Sequence, residues 1–235
     1  MIPRKIRIEI LALLVALISI ALQAQSLKYP PLSEYMMAPD VEVALAKSAA
    51  PDAVSDHATI LVLTTSGYKV STQGNNGFVC MVMRGWSAPT YTPVSDRNLV
   101  YDPQTRAPIC FNPIAAQTVL PYQEFRTKLG MEGKSPDEIT AAIEQAYMKG
   151  DLPRMEAVAF AYMFSADQKL GSAGAWHPHM MIFTPYYTNA MMGNNSGDDM
   201  LPVVAADAGT PFALTVIRSI THWRSRPGQG KQAIF

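Results

Sequence analysis

Residues 59–83 read TILVLTTSGYKVSTQGNNGFVCMVM, and this stretch decides the fold. Residues 59–65 are a run of β-branched residues and leucine. Ser66-Gly67 offers a turn, and residues 68–72 continue as a strand. Gly74-Asn75-Asn76-Gly77 carries an Asn-Gly turn signal, after which residues 78–83 form a third strand. That third strand is apolar on both faces. It is expected near the middle of a sheet with cover on each side, because a strand facing water on one side alternates instead. The three strands are expected to form a meander.

Working outward, Asp40 can cap a short helix over residues 40–49. Val41, Ala44, Leu45 and Ser48 fall on one face of it, and Pro51 ends it. Residues 27–39 hold three prolines and read as an extended leader. On the other side, residues 86–108 hold four prolines and several polar residues and read as a long loop. Asn112-Pro113 is a cap followed by a first-turn proline, so a helix starts there. Pro121 kinks that helix or begins a second one, which runs to about residue 129 with Gly130 as its stop. Ser135-Pro136-Asp137-Glu138 is a capping box. Ile139, Ile143, Ala146 and Tyr147 then make an apolar stripe closed by Gly150. Strands are expected at 158–164, 180–184, 203–206 and 212–219. Strands early, helices in the middle and strands late imply an α+β fold with a mostly antiparallel sheet. Residues 27–223 are read as one domain and 224–235 as a flexible tail.

The first 26 residues carry an address. Arg4, Lys5 and Arg7 precede an apolar run at 10–22 broken only by Ser19, and Ala24 and Ser26 suit a cleavage site. This is the pattern of a secretory signal peptide. A membrane span needs about 20 apolar residues, and this run is shorter. No cysteine lies near the cleavage region and no Arg-Arg pair precedes the run, so neither a lipoprotein nor the twin-arginine route is indicated. The mature chain is expected to be secreted or periplasmic, with no stable membrane anchor.

Removing residues 1–26 takes three of the 19 basic and one of the 19 acidic residues, leaving a net charge of about −2. No Lys/Arg run is present to neutralise phosphates, which argues against a nucleic-acid partner. Hydrophobic residues make up 49% of the chain and charged ones 16%, a composition for a packed core rather than disorder. Cys80 and Cys110 are the two cysteines. In an oxidising compartment an isolated pair reads as one disulfide, worth roughly 3–4 kcal/mol for a loop of about 30 residues. The alternative is two buried thiols.

One polar cluster stands out: Trp176-His177-Pro178-His179-Met180-Met181. If extended, His177, His179 and Met181 share a face. Two imidazoles on one face can begin a metal site, each giving a neutral nitrogen. His57, beside Asp56, is the best-placed third ligand, and His222 is a weaker one. The soft sulfur of Met181 favours copper over zinc. A His-Asp pair could instead orient one imidazole. The same histidines also have a plainly structural reading, hydrogen-bonding a loop at a strand's start, and the Met pairs read as adaptable packing.

Nucleophile-elbow, His-Glu-x-x-His and Walker patterns are absent from the sequence. Residues 193–199 are acidic and Gly-rich without calcium-loop spacing, so they read as a surface loop. Asp198 and Asp199 are adjacent and would point apart if extended. Asn194-Asn195-Ser196 matches a glycosylation sequon, which matters only in a eukaryotic secretory pathway. Trp86, Tyr91 and Tyr101 suit a stacking platform or, equally, anchors that hold the long loop down.

Four blocks taken together, Asp56-His57-Ala58-Thr59, Asn76-Gly77-Phe78-Val79-Cys80, Cys110-Phe111-Asn112-Pro113 and Trp176-His177-Pro178-His179-Met180, resemble a group of secreted bacterial proteins of no known activity. The likeness spans residues 32–185. It implies an exported bacterial origin and no particular chemistry. The expectations are therefore three: an exported protein binding a metal or small ligand through His57, His177 and His179; a secreted hydrolase with a histidine general base; or a structural or interaction protein in which the cluster has no chemistry.

Overall fold

The computed structural model describes residues 28–87, 99–156, 158–169, 171, 174–175, 177–196 and 201–218. The expected signal peptide and tail lie outside these, as do Tyr91, Trp176, Asp198, Asp199 and His222. The strands are β1 (Thr59–Thr64), β2 (Gly67–Thr72), β3 (Val79–Met83), β4 (Ala107–Phe111), β5 (Phe160–Met163), β6 (His179–Phe183), β7 (Val203–Ala206) and β8 (Leu214–Arg218). The helices are α1 (Pro39–Lys47), α2 (Asp52–Ser55), α3 (Pro113–Thr118), α4 (Leu120–Met131) and α5 (Pro136–Lys149), with a 3-10 turn at Leu32–Tyr35. All eight strands form one sheet in the order β2-β1-β3-β4-β5-β6-β8-β7. Among the described strands only β1 and β3 pair in parallel, so the fold is α+β with a mostly antiparallel sheet. Among the described residues no helix is long and apolar enough to cross a membrane.

The first three strands are not a meander. β1 and β2 make the expected hairpin, but β3 lies on β1's other side. The connection crosses the start of β1 at Gly74, where a Cβ would lie 2.2 Å from the Ala58 carbonyl carbon. Asn75 and Asn76 both donate backbone N–H groups to the His57 carbonyl there. Burial explains the choice. β2 exposes most of its residues and takes the sheet edge, whereas Cys80–Met83 are wholly buried and need neighbours on both sides and both faces. β4 supplies the second neighbour; it occupies the end of what reads in sequence as loop.

The sheet's two faces carry separate cores. On one, Met81, Met83, Ile109 and Phe111 pack with Ile139 and Ile143 of α5 and Leu120 and Leu129 of α4. On the other, Ile60, Cys80, Val82 and Cys110 meet Ala46, Ala49 and Ala50 at the end of α1. Cys80 and Cys110 face each other directly across β3 and β4 and form the disulfide, which removes the free-thiol alternative.

α5 follows its sequence signals. Ser135 accepts the Glu138 N–H, the Glu138 carboxylate accepts the Ser135 N–H, and Gly150 ends the helix in the left-handed region. Asn112 caps α3 by accepting the Ala115 N–H. Two expectations fail. Gly130 does not stop α4, which runs to Met131; its missing Cβ instead makes room for the Trp86 ring. The buried side of α1 is not Val41, Ala44 and Ser48, which are exposed, but Glu42 and Ala46. The reason is electrostatic. Glu42 meets Arg84 at 2.9 Å with both side chains excluded from water, and Arg84 Nε also donates to the Tyr35 carbonyl. A hydrophobic pattern cannot anticipate a buried charge pair.

Candidate functional site

The structure separates the expected histidines. His57 precedes β1, and His177 and His179 lie at the start of β6, which runs opposite to β1. They therefore sit at opposite ends of the sheet, four strand steps apart, roughly 19 Å at the usual spacing of about 4.8 Å. His57 and His177 are exposed, whereas His179 and Met181 are buried on one face of β6. His179 Nδ1 lies 2.6 Å from the His177 carbonyl oxygen, so that ring bonds the preceding backbone. Burial pushes its pKa down to about 4, helped by the nearby Arg218, and the bond to the His177 carbonyl opposes this only partly. Among the described residues no three His, Cys, Asp or Glu side chains are grouped to hold a metal.

Of the long-loop aromatics, Trp86 and Tyr101 are anchors. Trp86 is buried against Gly130. The Tyr101 hydroxyl donates to the Gly130 and Lys134 carbonyls, and Tyr29 stacks on its ring. The sequon side chain, Asn194, is buried and donates to the Pro202 carbonyl.

A different cluster forms where β6 ends and β7 turns into β8. Two loops are zipped together there: Thr184 N–H donates to Ala213, Tyr186 N–H to Thr210 and Gly209 N–H to Tyr187. Asn189 fixes the first loop to β7 by accepting the Val204 N–H at 2.7 Å. The turn carries Phe212, which stacks on Tyr122 of α4 at 5.1 Å and meets Tyr147 of α5 edge-on at 5.0 Å. Arg126, buried on α4, lies over the Tyr122 ring, bonds its hydroxyl at 3.1 Å and donates to the Trp86 carbonyl. Phe212 of the turn thus seats on Tyr122 and Tyr147, with Arg126 against the Tyr122 ring.

Backbone strain collects in the same place. Among the described residues only Tyr186 (φ 67°) and Asp207 (φ 55°) are non-glycine residues with positive φ, and they sit one in each loop. Asparagine and aspartate tolerate this region, but a tyrosine there is uncommon. Burial pushes the Asp207 carboxyl up to about 7, against the opposing pull of the Arg126 guanidinium. Tyr147 is raised by burial and then by its hydrogen bond with Tyr186. Tyr186 and Tyr187 nonetheless remain 57% and 42% exposed. An acid titrating near neutrality can accept or donate a hydrogen bond, and exposed rings can stack.

Sequence reasoning missed this cluster. Asp207-Ala208-Gly209-Thr210-Pro211 is a turn signature between two strands, but nothing local says that the carboxyl would be partly buried within reach of Arg126 on α4. Elsewhere, an open groove of about 460 Å³ lies between the β1–β2 turn and α4. Its wall of Glu124, Lys128 and Glu132 repeats every fourth residue, the pattern of a solvated helix face.

No family model, no curated protein and no solved structure matches this chain.

Proposed function

We propose that the chain is an exported binding protein and that a small ligand occupies the mouth formed by the Tyr186 and Asp207 loops. One observation carries this reading. The two non-glycine left-handed residues of the described chain lie in two loops hydrogen-bonded to each other, and one of them bears a carboxyl displaced to about 7. Strain and displaced titration concentrate where a site is held ready for a ligand. The reading keeps the ligand-binding expectation and moves the site away from the histidines. Copper or zinc at His57, His177 and His179 draws no support from their separation. A histidine general base draws none from His179, which is buried and bonded to backbone.

Thermal denaturation of the mature chain across a small-molecule library tests this, run on wild type, Asp207→Asn and His177→Ala/His179→Ala. A compound that raises the midpoint in wild type and in the histidine variant, but not in Asp207→Asn, supports the mouth. A compound whose effect survives Asp207→Asn and disappears in the histidine variant would return the site to the histidines.

A further inference from the structure

We infer that the open groove between the start of β2 and α4 binds an extended peptide of basic and apolar residues, which joins the sheet as an additional strand beside β2. The groove is a site separate from the mouth, and each stands without the other. Three observations select the occupant.

The first is a free sheet edge. β2 is the outermost strand and has only β1 as a neighbour. In an antiparallel ladder, opposite residues either exchange both backbone hydrogen bonds or exchange neither. Leu63 lies opposite Tyr68, yet its N–H goes to Glu42 Oε1 at 3.1 Å. The pair is therefore the non-bonded kind, and the N–H and C=O of Tyr68 point away from β1. Alternation turns the backbone of Val70, opposite Leu61, the same way, because the register slips only beyond it. Proteins commonly blunt such an edge with proline or charge. β2 has no proline, its one charge is Lys69, and Val70 is 56% exposed.

The second is room beside that edge. The groove holds about 460 Å³, with Gly67 and Tyr68 on one side and Glu124, Lys128, Met131 and Glu132 on the other. A chain added to β2 would lie about 4.8 Å from it. Main-chain bonds to the strand then give affinity, and the helix side meets alternate side chains. Because α4 already lines the far side, the space suits one extended chain rather than the folded edge of a second copy.

The third is the lining. It carries two carboxylates, Glu124 and Glu132, against one ammonium, Lys128. Neither carboxylate has a salt bridge among the described residues. A lysine or arginine on the incoming strand complements that excess, and an acidic strand is repelled by it. Leu32 and Met131 add apolar surface to the same groove. Basic and apolar side chains together therefore match it.

A hexapeptide array probed with the labelled mature chain tests this, followed by calorimetric titration of the tightest binder. That binder is expected to combine Lys or Arg with Val, Ile or Leu. Its affinity should fall about ten-fold or more in Val70→Pro and in Glu124→Lys/Glu132→Lys. Val70→Pro removes an N–H that faces the open edge and leaves the ladder to β1 intact. N-methylation of every second peptide residue should abolish binding in one phase and spare it in the other. This scan uses wild-type protein, so it decides the question even if a variant fails to fold. No hexapeptide binding to folded wild type overturns the inference. So does an acidic peptide as the tightest binder, or binding indifferent to N-methylation in either phase. Wild type that binds no peptide but sediments as a dimer, which Val70→Pro dissolves, would assign the edge to a second copy and overturn the peptide.

Discussion

The centre of the sheet and its β6–β8–β7 side are built on opposite principles. At β3 and β4 every residue from Cys80 to Met83 and from Ala107 to Phe111 is buried, both faces are covered, and a disulfide joins the pair. At the other side two loops carry the described chain's strained non-glycine residues, exposed tyrosines and a carboxyl near its titration point. Stability is concentrated in one region and chemistry in the other. Changes at the centre should therefore cost much folding energy at all pH values, and changes at the mouth should cost little or even stabilise.

The largest effect is expected at the buried ion pair that ties α1 to the end of β3. Arg84→Met leaves Glu42 charged, dry and uncompensated, which costs about 3–5 kcal/mol. Glu42→Gln/Arg84→Met removes both charges and keeps an acceptor for the Leu63 N–H, which bonds Glu42 Oε1 at 3.1 Å. Most of the loss should return in the double variant. Urea denaturation checks both; a double variant as unstable as the single one would show that shape, not charge, holds this junction.

Next is the disulfide. Cys80→Ala/Cys110→Ala opens a link across 30 residues and should cost about 3–4 kcal/mol. Ligand binding at the mouth should be unchanged. An equal loss of binding and stability would mean the two regions are coupled and would break the comparison.

How much of this was legible in sequence follows the same division. Local signals worked where the chain makes its own structure: the Ser135–Glu138 capping box, the Asn112 cap, the Gly150 stop, and the β-branched run and Ser66-Gly67 turn that set β1 and β2. They failed where a residue's partner is distant in sequence. The face read from Val41, Ala44, Leu45 and Ser48 left Glu42 out, because its partner Arg84 lies 42 residues on. Gly130 looked like a stop because Trp86 lies 44 residues back. β4 went unread, its first two residues taken as the end of the long loop, because its pairing with β3 is what makes it a strand. His177 and His179 were joined by the shared face of an extended segment and His57 by its place at the start of the first strand, and the sheet order puts His57 at the far end from the other two. Asp207 gave only a turn signal because its displaced titration comes from the elements that cover it.

A third prediction uses pH to sharpen the contrast. His179 is buried neutral, with a pKa about 4 in the folded chain against 6.5 unfolded. Below pH 6.5 the unfolded chain takes a proton that the folded chain refuses, so stability falls as pH drops from 6.5 to 4, by about 3 kcal/mol. In His179→Gln that loss should vanish from pH-dependent urea midpoints. Its persistence would assign the acid sensitivity to another group.

Asp207 works in the opposite sense over an overlapping window. Its carboxyl titrates at about 7 folded against 3.8 unfolded, so the folded chain holds the extra proton. Stability is then fully present below about pH 4 and is lost as pH rises to 7, where the carboxylate must be kept partly buried. Because Asp207 is only partly shielded, the loss is nearer about 1–2 kcal/mol than the full value its displacement would imply. The two slopes oppose each other, which leaves the wild-type curve between pH 4 and 7 shallower than either residue alone would make it. Asp207→Asn should therefore raise stability at pH 8, leave it unchanged at pH 4, and steepen the acid loss that His179 causes, while weakening ligand binding. A variant that gains stability and loses binding marks a residue kept for function at the expense of folding. If Asp207→Asn instead destabilises the chain at pH 8, the carboxylate is a structural partner of Arg126, and the mouth belongs with the centre of the sheet rather than in contrast to it.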